Sequence, residues 1–241
     1  MLFELKRCSY LRIKKIVNRY SVLKKMNTIR RRIRGSKGRK AVEQNGLKTA
    51  SAVVSIMENS GFEPVLSFGT LLGAVREHDL IHGDNDIDLG IIVDYNDDET
   101  WRKVRSVLEE GGYQLLRQYS YSGSITEQAY GADGFSFDVW GFLREPDGRH
   151  LRSFYHCRID EGVYHSDRDR SIKYIDMPVF ENRRYTKVGE YQLPVPINAE
   201  QMVAAVYGDD WQTPNPNFVA GTGFTLVEGV VETYQEFMSG H

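Results

Sequence analysis

The chain has 241 residues, 41% hydrophobic and 12% aromatic, enough for one core of a large single domain with an appendage. Its two cysteines, Cys8 and Cys157, are too few and too far apart for a disulfide framework or a zinc cluster, which fits a reducing compartment. The net charge of −2 hides an asymmetry: residues 1–40 hold 15 of the 31 Lys and Arg and one acid, Glu4, leaving 16 basic against 32 acidic residues beyond them.

That asymmetry sets the expected domain division, a basic arm over residues 1–40 and a catalytic body over 41–241. The arm lacks the apolar core of a signal peptide, and no segment approaches the roughly twenty apolar residues of a membrane span. Ile13, Ile16, Val17, Tyr20, Leu23, Met26, Ile29 and Ile33 recur at three- and four-residue steps with Lys and Arg between them. The spacing predicts a basic amphipathic helix. Three readings of it stay open. It lies on an anionic membrane surface, where each basic residue contributes about 1 kcal/mol; it packs on the body or on another copy; or it holds an anionic polymer. An extended nucleic-acid footprint is not expected, because the acidic body would oppose it. The localisation expected is cytoplasmic, peripheral on the inner face of the membrane.

A second helix is predicted over Ala41–Asn59, with Leu47, Ala50, Val54 and Met57 on one face. Strand Val65–Phe68 and the turn Gly69-Thr70 follow, then a short helix to Arg76. Glycine lets backbone approach a ligand, and a turn opening a helix offers free N–H groups to a phosphate. Thr70 can cap that helix and also give a hydroxyl. Arg76 is the cation nearest the acidic stretch, suited to a phosphate or carboxylate clamp or to a structural salt bridge.

The acidic stretch is Asp84, Asp86 and Asp88, running into strand Ile87–Val93. Alternation on a strand puts Asp86 and Asp88 on one face and Ile87 and Leu89 on the other. Two such carboxylates repel each other unless a cation sits between them. Mg²⁺ suits the pair, with Mn²⁺ as the alternative. Read alone, the same residues could be a solvated acidic turn.

Asp97 and Asp98 are read as caps of a helix over Thr100–Glu110 that Gly111-Gly112 ends. Strands at Tyr113–Tyr119, Ser124–Tyr130 and Phe135–Phe142 form an antiparallel meander, with Leu151–Ile159 as a return strand. In the third, Phe135, Phe137 and Val139 alternate with Ser136, Asp138 and Trp140, so Asp138 faces away from the apolar side. His156, Cys157 and His165 match no zinc spacing. A hairpin turning at Asn182, a capping-box helix from Asn198 to Gly208, a lid or wall around Trp211, Pro214 and Pro216, and a final amphipathic helix over Leu226–Met238 complete the reading.

The Gly-Thr turn followed by a strand Asp-x-Asp resembles the nucleotidyltransferase superfamily of the DNA polymerase β type. That resemblance implies an α+β fold, a mixed sheet flanked by helices, and a third carboxylate from a neighbouring strand, for which Asp138 is the best candidate. "GTLLGAVREHDLIHGDNDIDLG" more closely resembles the LicD/fukutin family, whose typical run is G-T-L-L-G-A-x-R and then I-P-W-D-D-D-I-D. Gly69 to Arg76, Ile81, Asp84, Asp86, Ile87 and Asp88 fit it; His82, Gly83 and Asn85 depart from it. "LPVPINAEQMVAAVYGDDWQTPNPNF" is similar to that family's closing segment. Members with an inserted zinc site need a cysteine cluster that this chain lacks.

The resemblance implies transfer of a phospho-alcohol unit, such as phosphocholine or ribitol phosphate, from a CDP-activated donor to a glycan or lipid-linked glycan. Asp86, Asp88 and Asp138 would hold the metal, and Gly69, Thr70 and Arg76 would meet the donor's phosphates. Two alternatives remain: a nucleotidyltransferase adding NMP to a small alcohol or a protein, and a non-catalytic binding protein that keeps the pocket.

Overall fold

A computed structural model describes residues 37–158 and 168–237 of the chain. The expected arm helix, His165 and the last four residues lie outside the described residues.

Helix α1 covers residues 37–59, so residues 37–40, assigned to the arm from composition, are helical and continuous with the body. Val42, Ala50, Val53, Val54 and Met57 recur at helical spacing and are buried. Gly46 lies in the same stripe because a Cβ there would come within 2.8 Å of Leu80. Arg183 and Tyr185 fasten α1 to a later hairpin through Glu58.

Strand β1 (Val65–Leu66) pairs antiparallel with β2 (Asp86–Val93), and α2 (Phe68–Arg76) connects them. Helix α3 (Asp98–Glu110) starts where Asp97 accepts the Thr100 N–H at 3.0 Å, as the capping pattern predicts, and ends at Gly111. Its buried residues are Trp101, Val104 and Leu108. The meander follows as β3 (Gln114–Tyr121), β4 (Ser124–Ala132) and β5 (Phe135–Arg144), each antiparallel to the next.

The pairing that positions the site is parallel. β2 lies along β5 from Asp86↔Ser136 to Val93↔Leu143. β6 (His150–Arg158) reaches the same edge of β5 only at Leu143↔Arg152 and Arg144↔Leu151. From there β5 and β6 part, and β2 takes the freed edge. A cleft opens in the fork, bounded by β2 and β5 on one side and β6 on the other.

β6 pairs with β7 (Asp169–Pro178), and β7 with β10 (Thr225–Thr233). β11 (Gln235–Glu236) follows β10 after Tyr234 alone and pairs with β3. One tail strand therefore bridges β7 and β3 and closes the sheet on itself. This corrects the amphipathic helix expected at Leu226–Met238. Its described part, "TLVEGVVET", is dense in β-branched residues, and two sheet edges were waiting for a strand.

The expected hairpin at Asn182 is also corrected. β7 belongs to the main sheet; the hairpin is β8 (Arg183–Val188) with β9 (Tyr191–Pro196). It turns at Gly189, whose φ of 55° suits glycine and whose N–H reaches His78 O at 2.8 Å. α4 (Ala199–Tyr207) begins at Asn198, but the Asn198 side chain donates to Val179 O at 3.0 Å instead of capping the helix. The architecture is α+β, a mixed sheet flanked by helices, with one apolar core running from α1 through β2 and β5 to α4.

Candidate active site

Asp86, Asp88 and Asp138 line the floor of the cleft. Ile87 and Leu89 are fully buried beneath the strand, which turns the two intervening carboxylates to the opposite face. The parallel register sets Asp88 beside Asp138. Asp88 is held on three sides. Its backbone N–H donates to Thr70 Oγ1 at 2.8 Å, Trp140 Nε1 donates to its Oδ1 at 2.9 Å, and the Gly69 N–H lies against its carboxylate. Thr70 is thus inside α2 and does not cap it, contrary to expectation; Ser67 stands at the N-cap, without a side-chain cap bond.

Gly69 needs to be glycine for a reason of space. A Cβ there would sit 2.9 Å from Asp84 Oδ2 and 3.6 Å from Asp88 Oδ2. Phe68 just before it has a φ of 41°, a conformation costing on the order of 1–3 kcal/mol in a non-glycine residue. Its ring packs edge-on to Trp140 at 4.7 Å, so one aromatic pair supports both the turn and Asp88.

The floor is electrostatically loaded. Burial raises Asp86 to about 9, and the charges of Asp88, Asp138 and Asp84 add to the shift. Burial raises Asp88 to about 8, with Asp138 next, while Trp140 and Gly69 pull the other way. Asp138 rises less, to about 6, because Arg117 opposes the effect of burial. Asp84 is also raised by burial, against a bond from the Asn85 N–H at 3.0 Å.

Two further residues of this floor escaped the sequence reading. Glu127 on β4 is buried and held well above the usual carboxylate range, first by burial and then by Asp138. Burial pulls the Arg117 guanidinium on β3 down, but Tyr119, Asp138 and Glu127 together raise it, and its buried Nε has no hydrogen-bond partner among the described residues. Both become visible only once the register Arg117↔Ala129 and Glu127↔Trp140 is known.

Arg76 lines the cleft but is already engaged. Its Nε donates to Glu77 at 2.8 Å and its Nη1 to Trp211 O at 3.2 Å. It ties α2 to the irregular segment 208–224, which forms the outer wall through Trp211, Pro214, Pro216 and Phe218, as the lid-or-wall reading expected. The cleft encloses about 1030 Å³, at the top of the usual range of roughly 300–1,000 Å³ for a small-molecule site.

Whether these residues suit a divalent ion is answered by their chemistry. All are carboxylates, the hard oxygen donors Mg²⁺ prefers. Asp138 Oδ1 is buried without a hydrogen-bond partner, and the mutual repulsion just described is what a cation relieves. Among the described residues no three acid, imidazole or thiol groups close around one point; Asp86, Asp88 and Asp138 are the residues that would hold an ion. His156 does not join Cys157 in such a group; its ring nitrogen meets Thr126 Oγ1 at 2.9 Å, and burial, with Arg170, keeps it neutral.

A parallel strand pair carrying three acids thus lies beside a glycine turn in a mixed sheet. The LicD/FKTN/FKRP nucleotidyltransferase domain matches residues 61–198, more than half the chain, and the protein belongs to that family. Two solved structures also align. One is a protein assigned as a nucleotidyltransferase from Thermotoga maritima, at 14% identity and TM-score 0.38, over 66% of this chain and 81% of that one. The other is ANT(2")-Ia in complex with adenylyl-2"-tobramycin, at 10% identity and TM-score 0.38, over 73% and 82%. No curated protein matches the chain.

Proposed function

We propose that the protein is a metal-dependent transferase. It moves a phospho-alcohol unit of the phosphocholine, ribitol phosphate or glycerol phosphate type from a CDP-activated donor to a hydroxyl of a cell-surface glycan. The observation that carries this reading is that Asp86, Asp88 and Asp138 line the floor of a cleft large enough for such a donor. These three residues would hold Mg²⁺ or Mn²⁺, whose chemistry is to neutralise the leaving phosphate and orient it.

The chain's own residues do the rest. Gly69 lets the Asp84 and Asp88 carboxylates pack against the α2 backbone, where its N–H meets Asp88. Thr70 keeps Asp88 in place from behind. Arg76 adds positive charge on the outer side. Asp138 Oδ1 has no hydrogen-bond partner among the described residues, and this carboxylate either completes the metal shell or takes the acceptor's proton. The acceptor oxygen bonds to the alcohol-bearing phosphorus as its bond to CMP breaks.

Donors labelled separately on each phosphate test the reaction. Label from the alcohol-bearing phosphate should appear on the acceptor, and CMP should be released. Transfer of the nucleoside monophosphate would replace this reading with the nucleotidyltransferase one. Changing Asp86→Asn should lower turnover by at least about 100-fold, the scale of losing one charge-stabilising group. Full activity after that change, or after chelation of metal, would remove the metal role. A thermal-shift screen of CDP-choline, CDP-ribitol and CDP-glycerol with Mg²⁺ identifies the donor, because a ligand at 100 times its Kd stabilises by about 2.7 kcal/mol.

A membrane-borne acceptor is supported by charge, a +14 segment over residues 1–40 against −16 beyond it. Flotation on anionic liposomes compares the whole chain with one beginning at Lys37. Equal binding would sink the membrane reading.

A further inference from the structure

Strand β3 changes face at a single residue. Leu115 pairs with Tyr130 and Arg117 with Ala129, so β3 takes two steps where β4 takes one. Leu116 is the extra residue of a β-bulge. Without it Arg117 would follow Leu115, which is buried on the apolar side with Tyr130. The bulge turns Arg117 to the opposite side, the one that carries the carboxylates.

The register then sets four residues in one row across the sheet: Asp88, Asp138, Ala129 and Arg117. Side chains opposite each other on neighbouring strands share a face. Ala129 is fully buried and has nothing beyond Cβ to stand between Arg117 and Asp138. Asp138 and Glu127 both act on the Arg117 charge.

Two arginines line the cleft. Arg76 is tied to Glu77 and to Trp211 O. Arg117 forms no ion pair among the described residues, and its buried Nε has no acceptor there. Leaving a buried N–H unpaired costs free energy that an oxyanion removes. A guanidinium presents its N–H groups as a planar fork that fits phosphate at two points. A cation shared by Asp86, Asp88 and Asp138 would offset the acids and leave Arg117 attractive to an anion.

Resting on the function proposed above, we propose that Arg117 grips, through this fork, a phosphate-type oxyanion of a substrate lying beside Asp138. The oxyanion belongs to the donor's alcohol-bearing phosphate or to a phosphate already on the acceptor.

The test uses the full chain with Mg²⁺ and pyrophosphate as the probe, read by calorimetry. Arg117→Gln should weaken binding about tenfold or more, the scale of losing a hydrogen bond to a charged group. Arg117→Lys keeps the charge and loses the fork; it should restore the melting temperature but not the affinity. Pyrophosphate held equally by the Gln variant and the original chain overturns the inference, as does no binding by either. Full recovery of affinity in the Lys variant also overturns it and makes Arg117 a counter-ion of the acids. If the Gln variant fails to fold, the Lys variant decides. Turnover with the CDP-alcohol that gives CMP release separates the two sources. A bound donor phosphate makes Arg117→Gln slow transfer to glycerol and to glycerol 3-phosphate alike; a bound acceptor phosphate makes it slow only the second. Unchanged rates with both acceptors overturn the inference. Absence of CMP release from any CDP-alcohol would defeat the underlying function instead, and the pyrophosphate measurement would still read Arg117.

Discussion

Thr70 shows how a small residue organises this site. Its hydroxyl accepts the Asp88 N–H inside a nearly water-free region. Thr70→Val keeps the shape and leaves that N–H unpaired, a cost of about 1–3 kcal/mol. The melting temperature should fall by about 2–4 °C for each kcal/mol lost, whereas Thr70→Ser should restore most of it. A Val variant as stable as the original would remove the role. The raised acids give a second prediction, whose sign follows from linkage. Asp86 and Asp88 hold protons in the folded protein that they lose near pH 4 when unfolded. Folding is thus favoured while they stay protonated, and that contribution fades as pH climbs toward about 8 and 9. Metal-free protein should therefore melt at lower temperature at pH 9 than at pH 6, and added Mg²⁺ should raise the melting temperature more at pH 9. A melting temperature independent of pH and metal would contradict both. Asp86, Asp88 and Asp138 could be read from alternation alone, since strand geometry fixes which side a residue takes. Glu127 and Arg117 could not, because their place depends on which strands lie side by side.

At the level of elements, the turn-bounded strands of the meander and the capped helix α3 were readable because their signals are local. The tail strand and the β8–β9 hairpin were not. The described part of the tail is exposed along much of its length and carries no strict alternation, so only the free edges of β7 and β3 decide its state. The β2–β5 pair makes a test at this scale. A Cβ on Gly90 would fall 2.3 Å from the Phe142 ring. Gly90→Ala must displace the Phe142 ring, which packs on Phe68 and Phe180, at a typical cost of about 1–3 kcal/mol in a packed core. It should lower both melting temperature and turnover, because the Phe68 that this ring supports precedes the Gly69 turn beside Asp88. Loss of stability with full turnover would show that the site tolerates the shift.

For the molecule as a whole, closure by the tail strand removes two exposed edges at once. Deleting residues 225–237 should free β7 and β3, and free edges recruit other chains. Size-exclusion chromatography should then show oligomers where the intact chain shows fewer; an unchanged elution profile would mean the edges are protected otherwise. The parallel register has a further consequence. Asp88 and Asp138 sit fifty residues apart in the chain yet side by side in space. Slippage by a single residue would send one acid to the far side of the sheet while leaving the helix and strand content intact. Refolding should therefore restore circular dichroism before it restores turnover, and specific activity becomes a direct reading of how many molecules have found the correct alignment.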